Sequence, residues 1–315
     1  MGYVANRIGQ GVVVIWAAFT LSFILLYLLP SDPVAIMLNQ GADAQAIDPE
    51  AIERLRARHG LDRGPFGQYL FALQKALGAD FGQSIALGRP VTALLAEALP
   101  QTALLALTAG AIAALLGVGL ALATAMTGSP VLRRILSNIP AVTVSMPGFW
   151  VGILLIQIFS FQLRLLPAIG NTGWQSLVLP ALTLSLPTAA VVAQVLYANL
   201  HETMAQPFVD ILRAKGVSER RIMLSHVLRV AGIPALTLIS MNVATMLAGA
   251  IVVETVFSRS GIGRLTESAV RAQDIPVVQG IVVLSAVIFV IANLLADLVY
   301  PLIDPRIAAA IKAKD

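Results

Sequence analysis

The chain has no cysteine among its 315 residues, which excludes a disulfide frame and a thiolate metal site. Its three histidines, His59, His201 and His226, are scattered, so no metal cluster can be read from them. Charge is scarce as well: 12% of residues are charged, about half the usual share of a soluble domain. There is no Gly-x-x-x-x-Gly-Lys-Ser/Thr stretch and therefore no P-loop to hold a nucleotide triphosphate. The net charge of +4 comes from basic residues in short hinges, not from a basic face interleaved with aromatics. The electrostatic footprint of a nucleic-acid binder is absent. Repeats and low-complexity tracts are lacking, apart from alanine-rich stretches.

What is present is apolar sequence: 57% hydrophobic residues and a mean hydropathy of +0.83. Charge falls in clusters with long uncharged stretches between them, as expected when lipid is the solvent for part of the surface. Six stretches are long enough to cross a hydrocarbon core about 30 Å thick as helices. They fall at about 8–29, 102–126, 139–161, 177–200, 230–253 and 277–301. The first exceeds a signal-peptide core of about 7–15 residues and runs into Leu29-Pro30-Ser31-Asp32-Pro33 without a small-x-small cleavage site. It reads as a retained span. Pro147, Pro187, Gly117 and Gly119 lie within spans, where a bundle tolerates kinks and uses small residues for close helix approach.

Lysine and arginine set the expected orientation. With the N-terminus inside, the inner segments hold Arg7, Arg133, Arg134, Arg213, Lys215, Arg220, Arg221, Arg229, Arg306, Lys312 and Lys314. The short outer loops hold only Arg164, Arg259, Arg264 and Arg271. Both termini are therefore expected in the cytoplasm. The long outer stretch after the first span predicts a small helical cap. Asp48-Pro49-Glu50 opens one helix, carried by Ile52 and Leu55 and stopped by Gly60, and a second over about Val91 to Leu99 leads into span two. The chain thus divides into a first span (1–30), an extracytoplasmic region (31–100), a five-helix core (101–302) and a cytoplasmic tail (303–315).

The inner loop between spans four and five carries the most information. Pro207 suits a first helical turn. Phe208, Ile211, Leu212 and Lys215 follow at helical spacing. Gly216 can take the left-handed conformation that ends the helix, and Ser218 with Glu219 can open another. The product is a short amphipathic helix at about 206–216 with an apolar knob rimmed by Asp210, Arg213 and Lys215. Residue chemistry alone leaves two uses open: a docking knob for a cytoplasmic partner, or an interfacial helix lying on anionic headgroups.

Residues 208–234 resemble the cytoplasmic loop of permease subunits of bacterial ATP-binding-cassette importers, and more narrowly the dipeptide/oligopeptide/nickel permease family. Ala214-Lys215-Gly216 and Pro234 carry the likeness. Asp210-Ile211-Leu212 stands where those importers generally have Glu-Ala-Ala, while Gly216 matches their glycine. Four further regions are similar in the same order. They are Leu29–Pro33, Gly78-Ala79-Asp80-Phe81-Gly82-Gln83-Ser84, Gly249–Ser258 with Gly261-Ile262-Gly263-Arg264, and Asp274–Gly280 with Asn293–Arg306.

The resemblance implies an all-α membrane protein of the type I importer permease fold, with six spans and a small outer helical domain. It implies pairing with a homologous permease in a heterodimer, two cytoplasmic ATPase subunits that hold ATP and Mg, and an extracytoplasmic binding protein that delivers substrate. This chain would bind no cofactor and do no bond chemistry. The ATPase-coupling set would be Phe208, Asp210, Ile211, Leu212, Arg213, Ala214, Lys215, Gly216 and Arg220. The cargo would be di- or oligopeptides or a similar small solute, at a bacterial inner membrane.

Ionisable groups at membrane depth are functional candidates by default. Glu254 could contact substrate or the outer gate, or pair with Arg259 or Arg264 to pin the outer loop. Asp297 sits near the inner end of span six, where capping or pairing suits it. Met241, Asn242, Thr245 and Met246 on span five are candidates for the translocation path, with bundle packing as their ordinary use. Trp16, Trp150 and Trp174 read as interfacial or packing aromatics. An ion-coupled secondary transporter is the rival reading, and it needs a coupling-ion site and usually inverted repeats. No span carries a central charge. A non-transporting scaffold or sensor is the third.

Overall fold

The computed structural model describes residues 2–27 and 64–303. The Leu29–Pro33 segment, the helix expected from Asp48 and the tail over 304–315 lie outside the described residues. The described chain is helical, and its one extended pairing is an isolated bridge between Gln83 and Pro90.

In order, the helices are α1 (Gly2–Tyr27), α2 (Pro65–Leu77), α3 (Val91–Met126), α4 (Pro130–Ser145) and α5 (Gly148–Leu155). They continue with α6 (Gln175–Met204), α7 (Pro207–Ala214), α8 (Leu228–Met241), α9 (Val243–Val256), α10 (Ile262–Arg271) and α11 (Ile275–Ile303). Two stretches wind more widely than an α-helix: Ile156–Gln162 after α5 and Ile222–Val227 before α8.

Among the described residues, four helical stretches are long and apolar enough to cross a membrane: Asn6–Leu26, Val91–Met126, Gln175–Met204 and Ile275–Leu294. The helix expected over Val91–Leu99 is the first part of α3, which runs through Pro100 without a break. The third expected span is not straight. Helices α4 and α5, with its wider extension, meet at a bend of 104° around Met146 and Pro147. Proline has no N–H to give, and it drives the residue before it out of the helical region. Met146 accordingly sits at φ −90° and ψ 130°. The fifth expected span is two helices, α8 and α9, parted at Asn242, whose side-chain Nδ2 donates to Leu238 O at 2.8 Å.

The chain forms two compact units, Met1–Gln101 with Ser260–Ile291, and Thr102–Arg259 with Ala292–Asp315. In the first unit the start of α3 packs on α10 and α11 through Val91, Leu94, Leu95, Ile262, Val277 and Ile281. A Cβ on Gly280 would lie 2.8 Å from Val91 Cγ1, so the helices touch there through a missing side chain. The buried Asp274 carboxylate accepts from the Ser84 hydroxyl and from the backbone N–H groups of Ile85 and Ala86, each N–H at 3.1 Å. It thereby fastens the 81–90 loop to the head of α11.

The second unit holds two apolar clusters. One joins Leu105, Ala109, Leu179, Leu184, Met246, Ala250 and Phe257, from α3, α6 and α9 and the residue that follows α9. The other joins Ala121, Val192, Leu196 and Leu200 to Val209, Ile222, Met223 and Val227. In that second cluster the short α7 is bound to the spans.

Candidate functional site

Helix α7 has the ends its sequence dictates. Gln206 is extended at φ −78° and ψ 147°, Pro207 opens the first turn, Asp210 lies in that turn and Arg213 in the last. Gly216 closes it at φ +76°. Two backbone bonds complete the stop: Gly216 N–H donates to Arg213 O at 2.9 Å, and Val217 N–H donates to Leu212 O at 3.1 Å. This pair of bonds around a left-handed glycine is the Schellman arrangement. A Cβ at Gly216 would meet nothing within 4 Å, so the constraint there is backbone strain and not space.

The buried face is not the one that spacing from Phe208 picks out. Val209 is fully buried and sits in the cluster with Ile222, Met223 and Val227. Phe208, Leu212 and Val217 lie half-buried against the same cluster. Ile211 points away and is 56% exposed. Asp210, Arg213, Ala214, Lys215, Gly216 and Arg220 are exposed. Phe208 and Leu212 thus anchor the helix, and Ile211 is its large apolar residue left exposed.

The polar side of the segment is knitted together by Arg213. Its Nε and Nη2 donate to the two Glu219 carboxylate oxygens at 2.6 and 3.2 Å, and Nη1 donates to Asp210 Oδ1 at 3.0 Å. These hydrogen bonds hold the Glu219 carboxyl below its ordinary pKa and push the Arg213 guanidinium above its own. Ser218 starts the next turn with its backbone, and its side chain makes no capping bond.

The candidates on and around α9 fall in different environments. Met246 is buried in an apolar cluster, Thr245 is exposed, and Asn242 occupies the break. Only the backbone of Met241 and Asp297 is described. Glu254 is fully buried, and its Oε1 accepts from Thr102 Oγ1 at 2.7 Å. Arg259, just past α9, is also buried, and its Nη1 donates to Ser176 O at 3.0 Å and Gly170 O at 3.3 Å. Burial holds the Arg259 pKa below its ordinary value, and the opposite charge of the Glu254 carboxylate works against that shift. Four segments meet there: α3 through Thr102, the loop at Gly170, the head of α6 at Ser176, and α9. Trp16, Trp150 and Trp174 all present exposed rings.

Residues 113–309 match the family described as binding-protein-dependent transport system inner membrane component. The chain belongs to this family. It is 34% identical over 307 residues to the glutathione transport system permease protein GsiC of Escherichia coli K12, covering 98% of this chain and 99% of that one. The same protein from Shigella dysenteriae matches at the same identity and coverage. Its fold is similar to a chain of the MetNI methionine ABC transporter in inward-facing conformations, with a TM-score of 0.57 and 16% identity, over 68% of this chain and 97% of that one. This family member is a multi-pass membrane permease subunit of an ATP-driven importer, and the ATPase belongs to partner chains.

Val209 and Glu219 lie outside the expected coupling set, although Glu219 was expected to open the next turn. Val209 had a signal, since Val209 and Leu212 are three apart and both apolar. Glu219 had one too, because a carboxylate just past a helix stop can reach back to an arginine in its last turn.

Proposed function

We propose that this chain forms half of a translocation pathway for di- or oligopeptides or a similar small solute, paired with a homologous permease in a bacterial inner membrane. An extracytoplasmic binding protein delivers the solute, and both termini lie in the cytoplasm. Two ATPase subunits, which carry ATP and Mg, act through the helix at 206–216. The relative's name supports a peptide-like cargo, since glutathione is a tripeptide.

One observation carries the coupling role. Helix α7 is anchored on one side by Val209 in the core of its unit and offers Ile211 on the other. A helix merely resting on headgroups has no need to be seated in the same cluster as the ends of the spans. ATPase closure would push Ile211 and its neighbours, and the seat would pass that motion to α6 and α8, a rigid-body switch between two packings. Glu254 and Arg259 serve in this reading as a staple that holds Thr102 of α3, the head of α6 and the end of α9 together, and Met241, Asn242, Thr245 and Met246 stay candidates for the path.

The test is co-purification. Ile211→Glu puts a charge on the exposed knob and should strip the ATPase subunits from the membrane complex while the chain still inserts. Full retention of the ATPases by this variant contradicts the coupling role. Mass spectrometry of the solute held by the partner binding protein checks the cargo, and a solute unrelated to peptides refutes that part.

A further inference from the structure

A glycine hinge is a poor place to transmit a push. Gly216 at φ +76° lets the chain turn sharply, but glycine also has the least resistance to bending of any residue. Unless something spans the turn, motion delivered to α7 dissipates at residues 215–218 before it reaches α8.

Arg213 spans it. Its fork meets both oxygens of Glu219, which lies beyond the turn, and its remaining terminal nitrogen meets Asp210, which lies on α7 before it. A lone exposed ion pair contributes little, but a bidentate arginine–carboxylate contact within a three-group network is the exception. Glu219 opens the turn that runs straight into Ile222–Val227 and then α8. Val209 on one side of the hinge and Ile222 on the other are buried in the same cluster. The hinge is therefore bridged twice, by apolar packing on the inner side and by the guanidinium on the outer.

We propose that Arg213 is a positioning residue that locks α7 to Glu219, so that ATPase motion reaches α8 as a rigid displacement instead of flexing the chain at Gly216. This rests on α7 being the ATPase contact. It assigns Arg213 inward, to Asp210 and Glu219, and leaves the docking surface to Ile211 and its neighbours.

The test uses the assembled complex of both permeases, both ATPases and the binding protein. It compares wild type with Glu219→Gln, Arg213→Lys and the double variant. Two readouts are taken: hydrogen exchange of the backbone amides at 215–218, and glutathione taken up per ATP hydrolysed in proteoliposomes. Glu219→Gln should keep its ATPases, speed exchange at 215–218 and lower uptake per ATP several-fold. Arg213→Lys should do the same although it keeps the charge, because an ammonium cannot form the fork. The double variant should fall no lower than either single one, since both remove one interaction.

Unchanged exchange at 215–218 in both single variants overturns the proposal, as does wild-type behaviour of Arg213→Lys. Loss of the ATPases from Glu219→Gln also overturns it, since Glu219 would then be a docking residue. Failure of the underlying coupling role shows separately, as retention of the ATPases by Ile211→Glu.

Discussion

Gly216 and Glu254 show how much a single position can decide here. At φ +76°, Gly216 sits where a side chain costs about 1–2 kcal/mol, and a β-branched one is worst placed to bear it. Gly216→Val should therefore redirect the exit of α7 and abolish co-purification of the ATPases without affecting membrane insertion. Gly216→Asn, which tolerates the left-handed region, should retain them. Equal retention by both variants would refute the turn's role. Glu254 poses a different question, because a buried carboxylate beside a buried arginine either serves cargo or serves structure. Removing one member of a buried pair destabilises by about 3–5 kcal/mol. Glu254→Gln keeps an acceptor for Thr102 but removes the charge that faces Arg259. It should lower the thermal stability of the purified protein and leave the KM for transport unchanged. A raised KM at unchanged stability would instead place Glu254 on the cargo.

Among the elements, helix ends were more legible in the sequence than helix faces. Pro207 and Gly216 fix the bounds of α7 because both act through local backbone geometry. Which stripe of α7 is buried depends on Val192, Leu196, Leu200 and Ile222, which come from elsewhere in the chain, so spacing from Phe208 could not choose Val209. The bend at Pro147 was legible as a kink, but its 104° was not, since proline permits a break and tertiary packing sets its angle. Close helix crossings follow the same logic. A Cβ on Gly117 of α3 would lie 2.7 Å from Val192 Cγ1 and 2.9 Å from Ala189 O of α6, whereas one on Gly119 meets nothing within 4 Å. Gly117→Ala should therefore destabilise by about 1–3 kcal/mol as overpacking, and Gly119→Ala should not. Equal melting temperatures for the two variants would remove the α3–α6 crossing from the account. The Arg213 network adds a pH expectation. The Glu219 carboxyl titrates below its ordinary value in the folded chain, so its stabilising contribution is complete above about pH 4–5. It is lost as pH falls through the lowered value. Protection of the amides at 215–218, taken relative to their intrinsic exchange rate at each pH, should then be constant across the neutral range and fall only in acid. A loss of protection near neutrality would point to a different group.

For the whole molecule, composition was enough to indicate a membrane protein, and the order of short motifs indicated its family, because lipid burial and local turn chemistry both leave marks along the chain. The cargo left none, since no His/Cys cluster or central charge in a span advertises a ligand. The most direct measurement is solute accumulation in proteoliposomes, using glutathione as probe, with the chain alone and with its full set of partners. The account predicts accumulation only when the second permease, the ATPases, the binding protein and ATP are all present. Accumulation by the chain alone, driven by a proton or sodium gradient, would contradict it.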